Sequence, residues 1–356
     1  MFNHKGGVGK TVDAYHIGWK LTEGDKRVLL VDGDSQVNLT ALVFGPDGFD
    51  DYFDSEQTRG FNIKDGVAPV FEGKPASIKA FECPAARNNK NLFILPGHAD
   101  LATYEGQLSL AQETAGSLSV LKNLPGALNA LIGKTEELNK IDYTIIDLNP
   151  GLGAINQNFF LASDAFIVPT NPDPFSLLAI GTLGEYLVRW VKWKNEYGEK
   201  FSNTDYPLTS NIPKFLGTIN ARFNKHASKA AKKFDTRIKL IDAEVEKTLA
   251  PALSVAGMLF KDECYIEAFE KWKTLLAGEG QSRYALARIP DFQSLIHSAT
   301  NSLKPVFAMT HKDLHKDGLQ GTVLDRAEKN SKDFNDIFSA ISDRIEILLN
   351  DKCGES

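Results

Sequence analysis

The chain has 356 residues, of which 42% are hydrophobic, and its net charge is −6 at pH 7. This composition suits a large buried core, and the mild negative charge argues against a protein coated with nucleic acid, although a local basic patch is compatible with it. The cysteines Cys83, Cys264 and Cys353 form no CxxC or Cys/His cluster, so neither a disulfide framework nor a structural zinc site is indicated. The sequence shows no signal peptide, and no apolar run approaches the ~18 residues that a membrane span needs. We therefore expect a cytoplasmic protein.

Short apolar runs alternate with helix-like stretches along the chain. Such runs, followed by polar residues, are typical of buried parallel strands. The alternation predicts an α/β fold with a doubly wound, mostly parallel sheet, whose ligands bind beyond the carboxyl ends of the strands. The predicted strands are 27–31, 91–95, 143–146, 165–168, 215–219 and 285–289, and the clearest predicted helices are 176–192 and 332–349.

A glycine-rich loop, Lys5–Thr11, lies near the start of the chain. Its glycines allow main-chain N–H groups to converge on a phosphate, and the helix that follows points its positive end at the same anion. Lys10 is expected to reach the β- and γ-phosphates, while the Thr11 hydroxyl is expected to bind Mg²⁺. The predicted nucleotide contacts are Gly6, Gly7, Val8, Gly9, Lys10, Thr11 and Val12.

The loop departs from the standard phosphate-binding pattern, because His4 stands where that pattern has its first glycine. With Lys5 as an additional lysine, the segment KGGVGKT resembles the deviant Walker A loop of the ParA/MinD family of ATPases. The resemblance implies a P-loop ATPase that binds ATP and Mg²⁺ and forms a nucleotide-sandwich homodimer. It also implies that Lys5 crosses the dimer interface to the partner's nucleotide.

Acidic residues follow two of the predicted strands. Asp32 and Asp34 follow the first, in a segment that resembles the family's DxDxQxN sequence, and Asp34 lies at the spacing of the family's water-activating aspartate. We expect Asp34 to drive hydrolysis near the metal and Asp32 to support the site from the strand end. Asp147 ends a later strand and is expected to hold Mg²⁺, partly through water. The glycines after it, Gly151 and Gly153, predict a mobile switch loop, although Asn149 and Gly151 depart from the family's pattern.

The resemblance extends to further strand ends. It covers about residues 1–222 and 285–349, and it places Asn220 and Pro290 at the adenine base. The alternative interpretation is that these two residues only mark turns at the ends of strands. Residues 225–284 are predicted to be a mainly helical insertion within a single domain spanning residues 1–356. Because only four residues precede Lys5, the first strand of the sheet is nearly absent, and our hypothesis is that this is a shortened version of a longer chain.

A basic run within the predicted insertion suggests contact with DNA. Lys225, Lys229 and Lys232/Lys233 share one helical face, and a solvated surface is the alternative interpretation. The predicted DNA contacts are Arg222, Lys225, Lys229, Lys232 and Lys233. The C-terminal helix has an apolar face but no basic cluster, so we expect it to pack on the core instead of binding a membrane.

The leading interpretation is a ParA-like ATPase that hydrolyses ATP slowly and positions DNA or another cargo, stimulated by a partner protein. It would act in the cytoplasm and, through DNA, at the nucleoid. The alternatives are a metabolic P-loop ATP-dependent enzyme, a MinD-like membrane-associated ATPase and a non-hydrolysing structural dimer. A reductase with cysteines bridging a dimer does not fit the three cysteine positions.

Overall fold

The computed structural model describes residues 1–223, 229–276 and 281–354, with no side-chain description for 222–233, 274–280 and 354. The described residues form strands that alternate with helices, as the sequence predicts, and the fold is α/β with mostly parallel pairing. The strands are β1 (Val28–Gly33), β2 (Ala85–Ala86), β3 (Asn89–Leu95), β4 (Tyr143–Leu148), β5 (Ala165–Thr170), β6 (Lys214–Phe223) and β7 (Ala285–Pro290).

Helices cover the sheets and connect their strands. The helices of the first half are α1 (Lys10–Leu21), α2 (Asn38–Asp54), α3 (Ile63–Phe71), α4 (Glu105–Glu113), α5 (Leu124–Asn139), α6 (Ala154–Ala162) and α7 (Pro174–Tyr197). Those of the second half are α8 (Lys229–Glu244), α9 (Ala250–Val255), α10 (Asp262–Leu276), α11 (Leu295–Asn301), α12 (His311–Lys316), α13 (Gly321–Leu348) and α14 (Asp351–Gly354). Within the described chain, no helix is both long enough and apolar enough to cross a bilayer.

The strands form two sheets, ordered β2-β3-β1-β4 and β5-β6-β7. All pairs are parallel except β2 with β3. The register of β1 and β4 sets Asp32 beside Asp147, so the two predicted acidic residues lie at the same edge. Because parallel strands end at one edge, the polar residues that follow them converge there.

Met1 and Phe2 lie between the two sheets. The main-chain nitrogen of Met1 donates to the carbonyl of Ile146 in β4 at 2.7 Å, and that of Phe2 donates to Ile167 in β5 at 3.0 Å. The Phe2 ring is buried against Phe160 and Trp190, with ring centroids 5.5 and 5.4 Å away. The first residues therefore bridge the sheets and lead directly into the glycine-rich loop.

Helix α13 packs on the core through the apolar face that its sequence predicts. Phe334, Ile337, Phe338, Ile341 and Ile345 are all buried. Arg344, on the same helix, is also buried, and its guanidinium donates to the main-chain carbonyls of Ala285 and Leu286. The helix is thus joined to β7 by polar as well as apolar contacts.

The expectation that the cysteines form no disulfide was wrong for one pair. Cys264 in α10 and Cys353 in α14 are bonded, with their Cα atoms 6.0 Å apart, whereas Cys83 is a free buried thiol. The two bonded cysteines are separated by 89 positions, so their pairing depends on the way α13 returns the chain to α10. Spacing alone carried no sign of it, since only close or regular cysteine patterns indicate bonding from sequence.

Candidate nucleotide and metal site

The glycine-rich loop has the backbone that anion binding requires. Gly7 and Gly9 adopt left-handed conformations, with φ of 72° and 93°, which glycine reaches without steric cost. Gly9 is the residue before α1, and no side chain caps that helix end. Gly6 and Gly7 are exposed. The first N–H groups of α1 are therefore available to a phosphate, with the positive end of the helix behind them.

Lys10 points into the loop instead of into solvent. Its side chain is buried, and the ammonium donates to the main-chain carbonyls of Asn3 at 3.3 Å and Lys5 at 3.4 Å. Burial lowers its pKa, and the nearby carboxylates of Asp147 and Asp34 oppose that shift. The long hydrogen bonds hold the cation loosely, so a phosphate can replace the two carbonyls as its partner.

Lys5 forms an ion pair within the same chain. Its ammonium lies 2.8 Å from the carboxylate of Asp173. That carboxylate also caps α7 by accepting from the N–H of Ser176 at 2.8 Å. Burial opposes the effect, but these hydrogen bonds lower the pKa of Asp173. The side-chain amide of Asn171 also donates to the main-chain carbonyl of Gly7 at 2.9 Å. These two contacts hold the start of α7 against the loop.

Asp147 has the properties of a metal ligand. Both carboxylate oxygens are buried, and neither accepts a hydrogen bond of normal geometry from the residues that the structure describes. Burial raises the pKa of Asp147 to about 6, while Thr11, Lys10 and the amino group of Met1 act in the opposite direction. An unpartnered buried carboxylate is costly unless a cation compensates it. Together with the Thr11 hydroxyl, it supplies the oxygen ligands that Mg²⁺ prefers.

Asp32 occupies the corresponding position on β1 but is fully hydrogen-bonded. One oxygen accepts from the N–H and the hydroxyl of Thr40 at 2.8 and 2.7 Å, and the other accepts from the N–H of Asp34 at 3.3 Å. Burial raises its pKa to about 7, against these hydrogen bonds. Asp32 therefore fixes the turn that carries Asp34, and its supporting role in the site stays a prediction.

Asp34 lies close to the metal-binding candidates. It is buried, and one carboxylate oxygen accepts from the N–H of Gln36 at 3.0 Å. Its charge acts on both Lys10 and Asp147. The structure thus brings together Lys10, Thr11, Asp34 and Asp147, residues that the sequence places on three separate segments.

The loop after β4 is held by two side chains that the sequence analysis did not assign to the site. The amide nitrogen of Asn156 donates to the carbonyls of Asn149 and Gly151 and to the Asn149 side chain, at 2.9 to 3.0 Å. Glu105 caps the start of α6, accepting from the N–H groups of Ala154 and of Ile155, the latter at 3.1 Å. The Glu105 contacts join residues 49 and 50 positions apart, and no local sequence pattern predicts them.

The predicted adenine contacts occupy different environments. Asn220 is fully buried; its side chain accepts from the Thr170 hydroxyl at 2.8 Å and donates to Asp242 at 3.3 Å. Arg288 donates to the other oxygen of Asp242 at 3.0 Å. Pro290 is the last residue of β7 and is buried. A contact from Asn220 to a base would require its present hydrogen bonds to rearrange, and both residues stay predictions.

The predicted DNA contacts lie outside what the structure describes. This applies to the whole of Lys225 and to the side chains of the others: Arg222, Lys229, Lys232 and Lys233. Their role therefore stays a prediction from the sequence.

Comparison with known proteins finds a matching family and a similar partition protein. Residues 1–197 match the family AAA_31, described as an AAA domain. The chain is similar to the chromosome partitioning protein ParA of Caulobacter vibrioides, with 32% identity over 176 residues, which are 49% of this chain and 56% of that protein.

Two solved structures share the fold. An ATP complex of McdA from Cyanothece has a TM-score of 0.55 and 16% identity, covering 97% of this chain and 94% of that one. The pNOB8 ParA bound to nonspecific DNA has a TM-score of 0.51 and 17% identity, covering 98% and 97%. The family is established by the match over residues 1–197, which covers more than half of the chain. The chain belongs to the ParA-like family of partition ATPases.

Proposed function

We propose that this protein is an ATP- and Mg²⁺-dependent dimerisation switch that hydrolyses ATP slowly and positions DNA or another cargo. The observation that carries the proposal is the pairing of a phosphate loop, whose helix end has no side-chain cap, with the buried carboxylate of Asp147, whose oxygens accept no hydrogen bond of normal geometry from the described residues. Each of these features is unfavourable alone, and Mg·ATP would satisfy both.

Nucleotide binding would use the loop and its two lysines. The N–H groups from Gly6 to Thr11 would hold the phosphates, and Lys10 would exchange its carbonyl partners for phosphate oxygens. Thr11 and Asp147 would hold Mg²⁺, which neutralises charge on the phosphates during transfer. Asp34, fixed by the turn that Asp32 holds, would orient the attacking water and take up its proton.

Dimerisation would use the surface beside Lys5. Phe175 and Leu178, in the first turns of α7, are 70% and 69% exposed. Exposed apolar side chains next to a charged site are typical of an interface. If Lys5 leaves Asp173 and reaches the partner's nucleotide, the ion pair within one chain is exchanged for one between chains. This exchange would couple the nucleotide to assembly.

The proposal that the protein binds cargo is supported by the basic run and by the family. Residues 222–233 contribute Arg222, Lys225, Lys229, Lys232 and Lys233 to one short segment. A stripe of this kind would contact phosphates without reading sequence, and its affinity would fall steeply with salt. One relative by fold was solved with nonspecific DNA. A stimulating partner protein is part of the same proposal.

The first experiment separates nucleotide binding from dimerisation. Calorimetry would measure Mg·ATP binding, and light scattering would measure mass with ATP, ADP or no nucleotide. We expect Lys10→Ala to lose both binding and dimer, whereas Lys5→Ala should keep ATP binding and lose the dimer. Asp34→Ala should keep the dimer and lose hydrolysis. No uptake of Mg·ATP by the unaltered protein would refute the proposal.

The second experiment tests the DNA part alone. DNA retention would be measured over a salt series with ATP, ADP and no nucleotide. We expect retention only with ATP, and its loss in the double variant Lys232→Glu, Lys233→Glu. The variant Lys271→Glu, which alters a basic residue on α10, serves as the charge control. Retention that is absent, or independent of ATP, would refute DNA binding while leaving the nucleotide switch intact.

A further inference from the structure

Glu105, the first residue of α4, holds the first turn of α6 from outside that helix. Its two carboxylate oxygens accept from the main-chain N–H groups of Ala154 and Ile155, the latter at 3.1 Å. The residue before α6 is Gly153, which has no side chain to cap the helix. A carboxylate from another helix therefore satisfies two N–H groups at the positive end of α6, where other helices use a local side chain.

The approach of Glu105 to the main chain is so close that it requires glycine at position 153. A Cβ atom built on Gly153 would lie 2.9 Å from the carboxyl carbon of Glu105, which is closer than real Cβ atoms come to their neighbours. The φ angle of Gly153 is −74°, which any residue can adopt, so the backbone conformation itself does not demand glycine. The missing side chain makes room for the carboxylate.

A second residue of α4 holds the same turn. The buried side chain of Gln112 donates to the main-chain carbonyl of Ala154 at 3.1 Å. The main-chain carbonyl of Gln112 accepts from the indole nitrogen of Trp193 in α7 at 3.0 Å. Helix α4 therefore contacts both the N–H and the carbonyl of Ala154, and it is itself fixed to α7, the helix that begins beside Lys5.

The turn that Glu105 holds ends the loop of residues 149–153, which joins β4 to α6. A Cβ atom built on Gly6 of the phosphate loop would lie 3.7 Å from the Pro150 ring, so the two loops lie side by side at this point. Asn156 of α6 donates to two main-chain carbonyls of the loop. Because Asn156 moves with its helix, the position of the first turn of α6 determines where Pro150 lies against the phosphate loop.

We propose that Glu105 is a positioning residue for ATP hydrolysis. Its carboxylate fixes the loop of residues 149–153 against the phosphate loop, and so fixes the geometry in which the attacking water meets the γ-phosphate. Small displacements of reacting groups cost large factors in rate, so loss of this contact slows the chemical step. Nucleotide affinity is retained, because Thr11 and Asp147, the expected metal ligands, belong to α1 and β4. The inference rests on the proposed ATPase function and names the residue that holds its switch loop.

The first test measures kcat, KM and the affinity for Mg·ATP in matched variants. Glu105→Ala removes both acceptor oxygens, whereas Glu105→Gln keeps one. We expect kcat to fall at least about tenfold in Glu105→Ala and by less in Glu105→Gln, with KM and affinity within about twofold of the unaltered protein. Thr310→Ala, which removes the side-chain cap of α12, is the control and should leave kcat unchanged. Equal losses in KM and affinity would overturn the proposal.

A second variant reaches the same displacement by another route. Gly153→Ala places a methyl group against the Glu105 carboxylate, and we expect a loss of kcat similar to that of Glu105→Ala. In the double variant the obstacle is removed together with the carboxylate, so the two losses should not add. Additive losses would mean that Gly153 acts independently of Glu105, and they would overturn the proposal.

Hydrogen exchange without nucleotide reports on the loop even where no hydrolysis occurs. Glu105→Ala should speed exchange at the amides of Ala154 and Ile155 by at least about tenfold and leave α12 unaffected, whereas Thr310→Ala should do the reverse. Faster exchange throughout the chain, or faster exchange with unchanged kcat, would overturn the positioning role. Absence of ATPase activity in the unaltered protein would instead refute the proposed function, and exchange would still show whether Glu105 holds the loop.

Discussion

The ends of β1 and β4 carry the same residue in adjacent register, yet the two aspartates have different surroundings. Asp32 accepts three hydrogen bonds, two of them from Thr40, whereas Asp147 accepts none of normal geometry within the described chain. Burial raises the pKa of both, to about 7 and about 6. The comparison teaches that partners, more than burial, separate a structural carboxylate from one available to a metal.

The largest expected effect is on the free energy of unfolding when Asp32, the hydrogen-bonded aspartate of the pair, is replaced. Asp32→Ala would leave the N–H and hydroxyl of Thr40 buried without an acceptor, and we expect the free energy of unfolding to fall by about 3 kcal/mol or more. Chemical denaturation without nucleotide measures this. Thr40→Val, which removes only the hydroxyl, should cost less. A loss below about 1 kcal/mol for Asp32→Ala would show that the comparison is mistaken.

Replacing the aspartate at the adjacent position of β4 should act in the opposite direction. Asp147→Asn removes a buried charge, and burial has the largest influence on the pKa of Asp147, so the nucleotide-free protein should be as stable as before or more stable. Its affinity for Mg·ATP should fall at least about 100-fold, or ~2.7 kcal/mol. Calorimetry with Mg²⁺ and with EDTA separates the contribution of the metal to binding from that of the nucleotide alone. An unchanged Mg²⁺ dependence of binding would remove Asp147 from the metal site.

The pH dependence of the free energy of unfolding gives a further test of Asp147. A carboxyl group whose folded pKa is raised binds a proton more tightly in the folded state, so its contribution to stability decreases as pH rises. For Asp147 this decrease falls between about pH 4 and its folded pKa of about 6. We expect it to reach about 2 kcal/mol, and to be absent in Asp147→Asn. Denaturation curves from pH 4 to 8 would reveal it as the difference between the two proteins.

The smallest expected effect concerns the ion pair that holds Lys5. Asp173→Asn keeps a good cap for α7 but removes the charge opposite Lys5. Because both side chains are partly exposed, stability should change by less than about 1 kcal/mol. With Lys5 released, ATP-dependent dimerisation should strengthen a few-fold in light scattering. Weaker dimerisation in this variant would mean that the ion pair supports the interface instead of competing with it.

Much of the fold was predictable because its signals are local. Every predicted strand is present, and Asp34 and Asp147 lie where strand ends converge. The features that sequence reasoning missed depend on distant residues. The Cys264–Cys353 bond, the Asn220–Asp242 contact and the separation into two sheets arise only when segments far apart in sequence meet. The hydrogen bonds of Asn156 were missed for another reason, since an asparagine inside a helix has no distinguishing pattern.

The aromatic contact between Phe2 and Trp190 gives the molecule an internal optical probe. The indole is 5% exposed and lies against a ring from the segment that bridges the two sheets. Indole emission shifts to longer wavelength when water enters. Because the chain has four tryptophans, a variant that keeps only Trp190 would report opening between the two sheets as a red shift without any attached dye. The start of the chain, the joining of the sheets and the phosphate loop can therefore be followed together by intrinsic fluorescence.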